Sequence, residues 1–306
     1  MIYALTLNPA IDYVINVPGF EEGKLNKTTK EYKFPGGKGI NVSRVLAQLG
    51  VQSRNLGFIG GFTGTFIEEQ LINHGLQNDF IHVSGDTRIN IKLKGEEETE
   101  INGLGPSITQ NDLDDLTVQI SSLTPEDWLI LSGSLPMGVP KDIYVTLSKM
   151  AHEQHVPFVV DISDASLFDV LKYKPSLIKP NEHELADLYN VEFKTIEDML
   201  PYGEKLVQQG ARNVIISMGA NGAILFNETG IYRAKGLTGT LVNSVGSGDS
   251  VVAGFVSQLS QGSDAVTAFK TGIACGSATA FSADLATEDE IKHQLARVEI
   301  DVIKEY

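Results

Sequence analysis

One cysteine, Cys275, stands in a chain of 306 residues, so no internal disulfide can form and a reducing compartment is expected. Between Ala274 and Gly276 it reads as a small buried apolar residue rather than a reactive thiol. No stretch approaches the ~20 apolar residues of a spanning helix. The amino-terminal segment meets Asn8 before any sustained apolar run, unlike a signal peptide. A soluble, cytoplasmic protein is therefore expected. Basic residues are few: 24 Lys and Arg against 39 Asp and Glu leave a net charge of −15. That argues against nucleic acid or an acidic membrane as a partner. The six histidines show no metal-ligand spacing with the cysteine. Familiar nucleotide fingerprints are missing as well. Gly39 follows Lys38 where a P-loop needs Ser or Thr, and Val251 stands where a third glycine would follow Gly246 and Gly248. Protein-kinase signatures are absent too.

What is present is an alternation of short apolar strands with amphipathic helices, the pattern of a parallel sheet covered on both faces. Strands are expected over Ile2 to Leu7, Arg54 to Ile59, Trp128 to Leu131, Phe158 to Ile162, Ser176 to Lys179 and Val214 to Met218. Helices are expected over Ile40 to Leu49, Thr65 to His74, Ser250 to Leu259, Asp264 to Phe281 and Glu288 to Arg297. Thr109 with Asp112, and Thr195 with Asp198, have capping-box spacing, and Pro140 suits a first helical turn. Two stretches, Tyr13 to Phe34 and Thr87 to Asn102, alternate like antiparallel strands with no helix between. The expected organisation is a main α/β domain of residues 1–12, 35–86 and 103–306, with a small discontinuous β-sheet lid from 13–34 and 87–102. An apolar face on that lid would suit a homodimer.

Two glycine-rich segments carry the chemistry. In Asn243 to Ser250, Gly246 and Gly248 flank Ser247 before an apolar helix, so successive backbone N–H groups and the helix end favour an anion. Asp249 sits at the same point, suited to take a hydroxyl proton during phosphoryl transfer. The helix end is expected to keep it ionised. In Pro35 to Ser43, Gly36, Gly37 and Gly39 permit close approach to a polar ligand, Lys38 adds a charge, and Asn41 lies one turn in. Asp12 follows the first strand and is placed to accept hydrogen bonds from sugar hydroxyls. Residues 1–50 hold six basic and four acidic residues, a local +2 in an acidic protein.

Thr6 to Asp12, Gly36 to Asn41, Ser132 to Pro136, Lys179 to Glu184 and Val245 to Asp249 occur in order across most of the chain. Together they resemble the PfkB carbohydrate kinase family. The resemblance implies a three-layer α/β/α ribokinase-like sandwich with a mostly parallel sheet and a β-sheet lid, binding ATP, Mg²⁺ and a sugar between them. It implies Asp249 as catalytic base and Gly246, Ser247 and Gly248 as anion hole. Asp12, Gly36, Gly37, Lys38, Gly39, Asn41 and Ser134 would hold the sugar. Lys179, Asn181, Ser217, Gly219, Gly222, Gly248, Ala274 and Ser277 would meet the nucleotide, and Glu184 the magnesium, commonly through water. The lid segment Thr87 to Lys92 is similar to the branch whose substrates are already phosphorylated, with Lys24, Lys27, Lys38 and Arg88 as candidates for the phosphate. Fructose 1-phosphate is the expected substrate, tagatose 6-phosphate or fructose 6-phosphate the alternative, and a non-catalytic sugar-phosphate sensor a remote one. Asp284 stands where a monovalent-cation loop would have glycine.

Overall fold

Strands without a polar face need cover on both sides, and the computed structural model, which describes residues 1–306, supplies it with two helical layers. The chain opens with β1 (Ile2–Thr6), then turns aside into β2 (Ala10–Asn16) and β3 (Lys30–Gly36). It returns through α1 (Lys38–Gln48), β4 (Ser53–Ile59), α2 (Gly61–Asn73) and the short strands β5 (Gln77–Asn78) and β6 (Ile81–His82). A second excursion makes β7 (Arg88–Lys94) and β8 (Glu98–Asn102). Regular alternation resumes with α3 (Gln110–Ser121), β9 (Trp128–Ser132), α4 (Ile143–Glu153), β10 (Phe158–Asp161), α5 (Leu167–Leu171) and β11 (Leu177–Ile178). There follow α6 (Glu182–Tyr189), α7 (Ile196–Gln208), β12 (Asn213–Ser217), β13 (Ala223–Asn227) and β14 (Gly230–Ala234). The last elements are α8 (Ser247–Leu259), α9 (Ala265–Ala280), α10 (Glu288–Leu295) and β15 (Ile300–Glu305).

The main sheet runs β15-β14-β13-β12-β11-β10-β9-β1-β4-β5, with β6 also paired to β4. It is parallel from β5 to β12 and antiparallel from β12 to β15. Strand alternation sorts its side chains into two cores. Leu129 and Leu131 of β9 join Leu116, Leu147, Val170, Leu185 and Leu206 under α3 to α7. Ile130, between them, joins Val45, Phe255 and Phe269 under α1, α8 and α9. Each such fully buried side chain contributes about 2 kcal/mol over exposure. The capping boxes at Thr109/Asp112 and Thr195/Asp198 both form.

Several expectations need correction. The second sheet, β3-β2-β7-β8, has antiparallel outer pairs, but its central pair, β2 with β7, is parallel. A tight turn does not join those two strands; β3, α1, β4, α2, β5 and β6 all lie between them, a connection long enough for a parallel pair. This sheet begins at Ala10 and extends to Gly36, so Asp12 and Gly36 belong to it. The antiparallel edge β13, β14 and β15 was not anticipated. Helix α2 starts at Gly61, before Thr65, and α8 at Ser247, before Ser250. Pro140 lies in a turn before α4, where its carbonyl accepts from Ile143 N–H. Cys275 is fully buried, and burial pushes its thiol up to about 12.

Candidate active site

The carboxyl ends of β1, β9, β10 and β11 open toward the second sheet. At this edge the N-terminus of α8 brings Gly246 in the left-handed conformation, φ 78°, as a cap without a side chain. The first intrahelical bond is Ser250 N–H to Gly246 C=O, which leaves the amides of Gly248 and Asp249 without helical acceptors. The Ser247 hydroxyl is buried with no partner. Free donors gathered at a helix N-terminus suit an anion. Asp249 is buried beside them, and its Oδ2 accepts from Asn41 Nδ2 at 2.9 Å. Its carboxyl is raised to about 6, chiefly by burial and then by the charge of Asp161, against the Asn41 bond and the ammonium groups of Lys38 and Lys179. Burial thus makes it a stronger base than a solvent-exposed carboxylate, while a pKa of about 6 still leaves it ionised at neutral pH.

Asp161 was missed in the sequence. It ends β10 at the sheet's carboxyl edge, fully buried, between Lys38 Nζ at 3.1 Å and Lys179 Nζ at 3.7 Å. Its pKa stays below the usual carboxylate range because these two cations outweigh its desolvation. The strand-end position was the signal that could have found it. Lys179 also rests against Gly248, where an added Cβ would lie 3.1 Å from its ammonium. Two cations therefore converge on the helix end where the anion would lie.

Asp12 does not follow β1 as a strand terminus; it points from the middle of β2. Its Oδ1 accepts from Asn90 Nδ2 at 3.1 Å on β7, and burial raises its pKa against the charges of Lys92 and Arg88. Gly36, paired with Ala10 on β2, leaves room for the Asp12 carboxylate, which a Cβ there would strike. Gly37 and Gly39 pack on Thr6, whose hydroxyl accepts from Ile40 N–H at 3.0 Å and serves α1 in place of a side-chain cap. A cavity of about 300 Å³ joins Asp12 and Asn41 to Arg44, Lys92 and Lys94. The last three were not among the expected site residues, although Lys92 lay within the lid segment already singled out. Arg44 is held by an ion pair to Asp284.

Other candidates lie around this centre in varied roles. Asn181 and Glu184 form a reciprocal capping box at α6, using Glu184 Oε2 and leaving Oε1 without a hydrogen bond. Ser217 bridges to the same segment through its N–H to Pro180 C=O, and Gly219 and Gly222 bound the turn after it. Ser277 is half-buried on α9, but Ala274 is fully enclosed in the core with α8 and offers no surface to a nucleotide. Ser134 is exposed on the loop after β9. Arg88 spends donors on the carbonyls of Asn8 and Gly103. Lys24 and Lys27 lie on the exposed or half-exposed loop joining β2 and β3, outside the cavity.

A buried carboxylate raised to about 6, set against free helix amides and two converging lysines, suits the transfer of a phosphoryl group to a hydroxyl. Such a site at the carboxyl edge of an α/β sheet, under a separate β-sheet, defines a phosphotransferase of small polar substrates. Residues 3–291 match the model of the pfkB family carbohydrate kinases, and the chain belongs to that family. It is 46% identical over 300 residues to a 1-phosphofructokinase of Bacillus subtilis, covering 98% of this chain and 99% of the relative. It is 37% identical to a D-tagatose-1-phosphate kinase of Bacillus licheniformis, over 98% and 99% of the two chains. Among solved structures, phosphofructokinase-2 of Escherichia coli in complex with substrates and products superposes with a TM-score of 0.92 at 26% identity, over 97% of this chain and 98% of that one. The fold is accordingly ribokinase-like, and ATP is the co-substrate. No helix is long and apolar enough to cross a membrane.

Proposed function

We propose that the enzyme transfers the γ-phosphoryl group of ATP to the C6 hydroxyl of fructose 1-phosphate, giving fructose 1,6-bisphosphate and ADP. The observation that carries this reading is the buried Asp249–Asn41 pair beside the free amides of α8, with Asp249 raised to about 6. The C6 oxygen forms its bond to the γ-phosphorus while the bond from that phosphorus to the bridging oxygen breaks, and the electron pair leaves with ADP. Asp249 takes the hydroxyl proton. Asn41 holds the carboxylate in place, and the amides of Gly248 and Asp249, Ser247, Lys38 and Lys179 receive the phosphoryl oxygens. Asp12 and the Gly36 to Gly39 loop hold the sugar hydroxyls. Lys179, Asn181, Ser217, Gly219 and Gly222 face the nucleotide phosphates.

Magnesium fits this site in one way. No group of three metal-binding side chains exists, but Glu184 keeps one carboxylate oxygen free and lies near enough to Lys38 to influence its charge. One free oxygen suits an ion that keeps its waters and is held mainly by phosphates. Glu184 would hold Mg²⁺ through water, and the ion would neutralise phosphate charge. A reducing, cytoplasmic setting suits the lone buried thiol. The outward face of the second sheet carries exposed Ile89 and Ile101, and a homodimer through this face accounts for them.

The similarity to a D-tagatose-1-phosphate kinase supports a second reading, the C4 epimer of the same substrate. ADP release measured with fructose 1-phosphate, tagatose 1-phosphate, fructose 6-phosphate and tagatose 6-phosphate separates these. The highest kcat/KM is expected for fructose 1-phosphate, and preference for either 6-phosphate overturns the reading. Binding of sugar phosphate without ADP release at saturating ATP and Mg²⁺ would make the protein a sensor.

A further inference from the structure

Lys92 is the least expected cation in the molecule. It is 7% exposed, yet its ammonium makes no hydrogen bond to the protein, and its nearest carboxylate oxygen, Glu100 Oε1, is 3.8 Å away on a largely exposed side chain. A buried charge without a close partner is costly unless a ligand supplies one. The alternation of β7 puts Lys92 on the same face of the sheet as Asn90, the partner of Asp12, and its pleat neighbour across β2 is Val14. Lys92, Lys94, Asp12 and Asn41 line one cavity. Asn41 holds the proton acceptor, so the cavity runs from the reacting hydroxyl toward a cation that lacks an anion.

The other cations near the sugar are engaged. Lys38 is bound to Asp161, Arg44 to Asp284, and Arg88 to two backbone carbonyls. Lys24 and Lys27 lie outside the cavity. We propose that Lys92 binds the phosphate already carried by the acceptor sugar, and so selects a ketohexose phosphate over the free ketohexose. This rests on the functional reading above and adds the residue that enforces it. Lys94, one pleat further along the same face, lies where it would assist at the cavity mouth. The competing role for Lys92 is to balance the charge of Asp12, which would serve phosphorylated and free sugars alike.

The ratio of kcat/KM for fructose 1-phosphate to that for fructose reads the difference. Lys92→Met is expected to lower this ratio by about 10- to 150-fold, the worth of a hydrogen bond to a charged group, through KM for the sugar phosphate. KM for ATP should hold. Lys92→Gln gives the same readout if the methionine variant fails to fold. A ratio that survives while both activities fall together overturns the assignment and leaves Lys92 as a partner of Asp12. A wild-type enzyme with no preference for the phosphorylated sugar overturns the functional reading itself, and this inference with it.

Discussion

The floor of the cleft and its lid handle charge in opposite ways. On the floor, Asp161 binds Lys38 and Lys179, and Asn41 binds Asp249, all at the ends of parallel strands or helices fixed by two cores. On the lid, the cleft-facing Lys92 lacks a close partner, and the pairs that do form, such as Lys33 with Glu31, lie outside in solvent. Chemistry needs groups already set before the substrate arrives, whereas recognition can leave a charge for the ligand to complete. The floor is thus set in advance, while the lid keeps a cation open to a ligand.

Asp249→Asn tests the floor most severely. Loss of the proton acceptor should lower kcat by about 10²- to 10⁴-fold, with sugar-phosphate binding little changed by calorimetry; equal loss of binding would contradict the assignment. The same variant should melt at a higher temperature. Because the folded pKa of Asp249 lies above its unfolded value, the native state holds this proton more firmly between about pH 4 and 6. That contribution is lost as pH rises through about 6, and burial of the ionised group then costs stability. The asparagine variant should thus gain stability at pH 8 and no longer do so near pH 4, while wild-type activity rises through about pH 6.

Asp161→Asn breaks the floor differently. Removing one partner of a buried charge cluster costs about 3 kcal/mol, less whatever solvent gives back to the half-exposed Lys38. It also removes a charge that raises Asp249, so the acidic limb of the kcat/KM profile should move to lower pH. A limb that stays in place would show that Asp161 does not act on Asp249. A smaller effect is expected from Thr6→Val, which leaves the buried Ile40 N–H without its acceptor. About 1–3 kcal/mol should be lost in denaturant unfolding, with a rise in sugar KM as the glycine loop loosens. Glu31→Gln, on the outside of the lid, should leave the melting temperature unchanged. A clear drop there would erase the contrast between floor and lid.

The parallel half of the main sheet was legible because buried strands and capped helices alternate along the chain. The antiparallel edge was legible in principle: Ala223 to Asn227 and Gly230 to Ala234 are apolar runs around a short turn, now seen as β13 and β14. Asp249 and Asn41 could be found from local loop chemistry, but the elevation of Asp249 comes first from its burial and then from Asp161, 88 positions away in sequence, and both are visible only in the folded chain. Lys92 shows the same limit. Alternation in Arg88 to Lys94 marks a strand face, yet which face meets the cavity depends on the parallel pairing of β7 with β2, which local pattern does not encode.

That parallel pairing has a kinetic consequence. Strands β2 and β7 flank the β4–α2 unit in sequence, so the centre of the lid closes only after a loop of more than seventy residues has been brought together. Its hairpins are local, whereas the seam between them carries the larger loop-closure cost. Asp12 and Asn90 face each other across that seam. A chain in which that seam has not closed holds the Asp249–Asn41 pair but leaves Asp12 and Asn90 apart.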